Sequence, residues 1–205
     1  MKDVAEAREF SLIGLVKLSA WSALMAPIGI VLHELGHYFA ARLLSFPAQL
    51  NAASVSGGAQ LGRDPDWMVA VQSGTGPFVT VAIVLFAAYH LRRRPGRRWA
   101  LALAATAPLR FLLGGSYLML AAYIWWVEGT IGGADFDEAK VALALDVALP
   151  PVLALQMLLL VGFWAWLIKT IPPGKRILSL VAMLAGAFPT IGLWMAVGPT
   201  LFRLA

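Results

Sequence analysis

Two of the three histidines in this 205-residue chain stand four apart, in His33-Glu34-Leu35-Gly36-His37. On a helix, residues four apart share a face. Both imidazoles can therefore reach one metal ion, with Glu34 beside them as general base toward a water that the metal acidifies. A shuffled chain of this composition carries the triplet in roughly one case in a thousand. The alternative is three polar residues packed inside a helix bundle. Within an apolar span that is costly unless the groups are paired or metal-bound, so a metal site on His33 and His37 is the favoured reading. A catalytic zinc takes three protein ligands and keeps one position for water. Cysteine is absent, so the third ligand must come from a histidine or a carboxylate. His90 adjoins an arginine-rich loop and reads as an interfacial residue. The carboxylates expected on the same side as the pair are Asp64, Asp66, Glu128, Asp135, Asp137, Glu138 and Asp146. A carboxylate would also offset the charge of a buried dication.

The elements that must position these groups follow from composition. The chain is 60% hydrophobic and 13% charged, with a mean hydropathy of +0.77. Soluble domains are about 45–50% apolar and about 25% charged. The excess calls for a bilayer as solvent and excludes disorder, collagen and an ordinary cytosolic enzyme. The net charge is +5, but the basic residues cluster at the ends of apolar runs, the positive-inside pattern of a membrane protein and not the mark of a nucleic-acid partner. The apolar runs predict an all-α polytopic membrane protein of about five transmembrane helices in a single domain, 1–205, with a core at about 18–146. The spans are about 18–44, 67–89 and 99–127, then additional spans at about 147–168 and 177–201. Five alternating spans put eleven Lys and Arg on the N-terminal side and four on the other. The N-terminus and the 91–98 loop are therefore predicted to be cytoplasmic, with the chain a multi-pass protein of the plasma membrane. Arg110, inside the third span, should pair with a carboxylate or line a wet cavity.

Three motifs resemble the site-2 protease family of intramembrane zinc metalloproteases. His33-Glu34-Leu35-Gly36-His37, running on as YFAARLL, is similar to that family's HExGH late in an early span. Gly76-Pro77-Phe78-Val79-Thr80 resembles its Gly-Pro-x-x-Asn, with Thr80 in place of the Asn. Gly132-Gly133-Ala134-Asp135-Phe136 resembles the region of its Asp ligand, with Phe136 in place of a Gly. The likeness covers about 25–145 and marks a divergent member. It implies Zn2+ as cofactor, membrane-protein substrates, and Asp135 as third metal ligand. Asp135 and Asp137 lie two apart, so on a helix they point roughly 200° apart and only one can face the histidines. Asp135 is preferred, because Gly132 and Gly133 allow close approach and it suits the N-cap of the helix that follows. Asp137 would lie in the first turn, where acidic residues suit the dipole anyway.

The segment 49–61 fits a β-hairpin turning at Gly57–Gly58. Such a hairpin would offer an edge strand to an unwound substrate, making Gly57, Gly58 and the Thr80 hydroxyl candidate substrate-binding groups. The expected function is zinc-dependent hydrolysis of peptide bonds in membrane proteins, with Glu34 catalytic. The rival is a catalytically inactive pseudoprotease, or a metal-binding membrane protein that binds transmembrane partners.

Overall fold

The computed structural model describes residues 11–112, 115–116, 119 and 136–201, and the backbone of 203–204. Among the described residues six bounded α-helices make up the frame: α1 (Leu12–Leu43), α2 (Asp66–Arg93), α3 (Arg98–Thr106), α4 (Asp137–Ala144), α5 (Leu149–Thr170) and α6 (Arg176–Leu201). The all-α expectation holds, and α1, α2, α5 and α6 are long and apolar enough to cross a membrane. Their outer faces carry large apolar side chains, among them Ile13, Phe78, Leu158 and Leu193. A soluble protein would not expose so much; in a bilayer these faces meet lipid.

The inward faces are lined by small residues. Lipid gives apolar side chains no reason to cluster, so membrane helices associate by close packing of small residues. A Cβ on Gly186 of α6 would strike the Ser19 carbonyl of α1, and one on Gly36 would come within 2.9 Å of Val79 Cγ2 of α2. α3 is buried on every side, from Ala100 to Thr106. It opens the predicted third span, but the α-helix stops at Thr106 and a 3-10 turn, Ala107–Phe111, takes over. Pro108 has no N–H for the α-helical ladder, and the tighter winding turns Arg110 toward α1. Most of the rest of that span, and Asp135 with it, lies outside the described residues.

The hairpin exists, but not about its glycines. β1 (Gln49–Asn51) pairs antiparallel with β2 (Val55–Ser56), Gln49 opposite Ser56 and Leu50 opposite Val55. The turn is built by Asn51, whose Oδ1 accepts from the N–H of Ala53 at 2.9 Å and of Ser54 at 2.8 Å, an Asx turn. Gly57 and Gly58 follow β2. Gly57 has φ +74°, and a Cβ there would lie 2.6 Å from the Pro47 carbonyl oxygen of the incoming chain. A short strand β3 (Arg203–Leu204) covers the other edge of β1, giving the order β2-β1-β3. Trp194 Nε1 of α6 donates to the Ala52 carbonyl at 2.7 Å and fixes the turn to the bundle. Among the described residues no strand pairs with the other edge of β2.

Candidate metal centre

His33, Glu34 and His37 sit ten to six residues before the end of α1 and are 1%, 4% and 5% exposed. The histidine spacing puts the rings edge to face, their centroids 4.8 Å apart. His37 Nδ1–H donates to the Gln72 carbonyl of α2 at 2.7 Å. A carbonyl can only accept, so this bond fixes the tautomer and leaves the His37 Nε2 lone pair free. His33 Nδ1 meets Thr80 Oγ1 at 2.8 Å, and donation to that hydroxyl frees its Nε2 in the same way.

The two Nε2 atoms are 3.1 Å apart, and Asp137 Oδ2 lies 3.1 Å from each. Three lone-pair donors that converge like this repel one another unless a cation stands among them. His33, His37 and Asp137 therefore form a group that could hold a metal ion. Gly76 of α2 keeps the space clear: a Cβ there would land on His37 Nε2 and within 2.6 Å of His33 Nε2.

Arg110 closes the group from the 3-10 turn. Its Nη2 is 3.3 Å from Glu34 Oε1 and 3.2 Å from Asp137 Oδ2, and its Nε donates toward His33 Nε2 at 3.2 Å. The mid-span charge thus pairs with two carboxylates, as expected. Burial alone would raise the Asp137 carboxyl. The Arg110 guanidinium, 3.2 Å from its Oδ2, opposes this, and the carboxyl lies below the usual carboxylate range. Beside it, burial raises Glu138.

A polar cleft of about 180 Å³ opens onto this group, lined by Glu34, His37 and Asp137 and, from the hairpin, by Ser54 and Val55.

No family model, curated protein or solved structure matches this chain.

The sequence reading differs from this geometry at three places. Asp137, set aside as a helix-dipole residue, is the carboxylate beside the histidines, while Asp135 is outside the described residues. The N-cap of α4 is Phe136, extended at φ −137° and ψ 163°, so Asp137 opens the helix. Thr80, read as a substrate contact, is the hydrogen-bond partner of His33. Gly57 and Gly58 do not form the hairpin turn, and a Cβ on Gly58 would collide with the Gln72 side chain. Sequence reasoning missed Gln72 altogether. Its side-chain Oε1 accepts from the Ala59 N–H at 2.6 Å while its carbonyl accepts from His37. Its only signal was a lone amide near the start of an apolar span.

Proposed function

We propose that this protein is a zinc-dependent intramembrane endopeptidase that hydrolyses peptide bonds of membrane proteins. One observation carries the reading: two histidine nitrogens and a carboxylate oxygen converge at 3.1 Å, with a glutamate next in sequence to the first histidine. Ligand atoms about 2.0–2.1 Å from a tetrahedral zinc stand about 3.3–3.4 Å apart. The group fits the ion after an outward shift of a few tenths of an ångström. His33, His37 and Asp137 would hold it. Bound zinc would supply a water acidified toward neutral pH and a Lewis acid for the peptide carbonyl. Two histidines and a carboxylate also suit ferrous iron, but a base beside the ligands is a requirement of hydrolysis and not of oxygen chemistry.

The rest falls to the chain. Glu34 takes a proton from the attacking water and passes it to the leaving nitrogen. Arg110 holds the Glu34 carboxylate in place. An unwound substrate segment adds by main-chain hydrogen bonds to the edge of β2 that no described strand covers, which exposes the carbonyl that a helix would hide. On the positive-inside count the N-terminus is cytoplasmic.

Purified protein tests this. The expected result is about one zinc per chain and cleavage of transmembrane model peptides. Glu34→Gln should keep the zinc and lose cleavage by about a hundredfold or more; near-normal cleavage by that variant would refute the mechanism. A second reading is a catalytically inactive membrane protein, and one observation favours it. The Arg110 guanidinium already brings positive charge to Glu34, Asp137 and His33 Nε2. That reading expects protein without zinc that still folds, and loss of fold in Arg110→Ala.

A further inference from the structure

The three-residue metal group is divided between two spaces. His37 and Asp137 line the polar cleft, whereas His33 lines a second cavity of about 210 Å³. Arg110 lines both and forms the wall between them. The second cavity is apolar. Ala26 and Gly29 of α1 leave the space, and Phe188 and Ile191 of α6 close it. Gly29 is not forced by crowding: a Cβ there would meet Ala107 at an ordinary 3.7 Å. Its smallness enlarges the cavity and relieves no clash. Phe188, Met195 and Leu112 line this space and are themselves partly exposed, so it lies close to the outer surface of the bundle.

Thr106 adds an independent sign. It lines the same cavity, is 4% exposed, and its hydroxyl has no hydrogen-bond partner among the described residues. A buried hydroxyl without a partner is costly. An entering peptide segment can supply the missing N–H or C=O.

From this we infer that the cavity receives the side chain of the residue flanking the cleaved bond, and that the enzyme selects a large apolar residue there, of the size of Leu, Met or Phe. The inference rests on the endopeptidase reading and deepens it. A chain lying along the β2 edge passes Glu34 and His37 in the cleft, and the side chain next to the reacting carbonyl turns past Arg110 into the space beside His33. Selection does not come from leaving water, because lipid is as apolar as the cavity. It comes from packing: a small side chain leaves the cavity walls without contacts. Ile191 and Ala26 set the depth.

The test uses transmembrane model peptides that differ only at the residues flanking the cleaved bond. Leu, Met or Phe should exceed Ala in kcat/KM by about tenfold. Ile191→Ala should shift the optimum to the larger of these, and Ala26→Leu toward Ala, each with zinc content unchanged. Binding supplies a readout independent of turnover. In metal-free Glu34→Gln protein, Ile191→p-benzoylphenylalanine should photocrosslink to the residue flanking the bond that the wild type cleaves. Equal cleavage across the panel, or crosslinks more than three residues from that bond, would overturn the pocket and leave proteolysis standing. Full zinc occupancy with no cleavage of any peptide would overturn the endopeptidase reading, and the pocket with it.

Discussion

Asp137 Oδ2 stands 3.1 Å from both imidazole nitrogens, although its place in the first turn of α4 would suit the helix dipole with no ligand at all. Asp137→Ala should lower bound zinc by about tenfold or more at fixed free zinc, whereas Asp135→Ala should leave it unchanged. Metal analysis after dialysis against a zinc buffer distinguishes them, and the opposite pattern would return the ligand to position 135. Because this carboxyl is held below its usual range, it stays charged where an ordinary aspartate takes up a proton. The stability it contributes is fully present above the usual carboxylate pKa and falls progressively as the pH drops below it toward the lowered native value. Gly76 makes a sharper case. Gly76→Ala removes no ligand, yet its methyl group would fall on His37 Nε2. Zinc binding should vanish with the helical circular dichroism preserved; a variant that still binds one zinc would show that the cradle lies elsewhere. The pair His33 and His37, with Glu34, was legible because helical spacing alone brings two ring nitrogens together. The carboxylate beside them was not: Asp137 opens α4 after the Phe136 N-cap, where an acidic residue suits the helix dipole with no ligand role to mark it.

Helix ends hold the next set of departures. After α1, Ser45 adopts φ +66° while Phe46 N donates to the Ala41 carbonyl at 2.9 Å and Ser45 N to the Arg42 carbonyl at 3.1 Å. This is a Schellman close, in which glycine is the usual left-handed residue. Asp146 closes α4 in the same way at φ +51°. Ser45→Gly should therefore stabilise the protein by about 1 kcal/mol, read as a higher unfolding temperature in detergent; a lower one would mean that the Ser45 side chain contributes more than its backbone costs. The long helices were legible from apolar run length, since α2, α5 and α6 begin and end within a few residues of the expected spans. The hairpin was legible only as a hairpin. Gly57–Gly58 is the stronger turn signal by composition, but Asn51 closes the turn through its side chain, and the glycines serve close crossings with Pro47 and Gln72. The 3-10 turn that delivers Arg110 was marked by Pro108, yet a proline inside a span reads equally well as a kink.

Among the described residues, large apolar side chains stand exposed on the outer helix faces, while the interior holds many small residues and the His33–Glu34–His37 group alongside buried Leu and Phe. That pattern suits lipid, and the basic residues supply the orientation. Since the natural chain has no cysteine, single cysteines give a clean map. Gly96→Cys in the 91–98 loop should resist a membrane-impermeant maleimide in intact cells and react after lysis, as the positive-inside count predicts for the basic side. Labelling from outside would invert the topology and put the metal end inside.

Gln72 holds the chain just after the hairpin, at Ala59, with its side chain and His37 with its backbone, through bonds of 2.6 Å and 2.7 Å. One residue thus links the exit of the strand that would grip a peptide to the ring that would grip the metal, so a displacement of the hairpin bears on the seating of His37 as well.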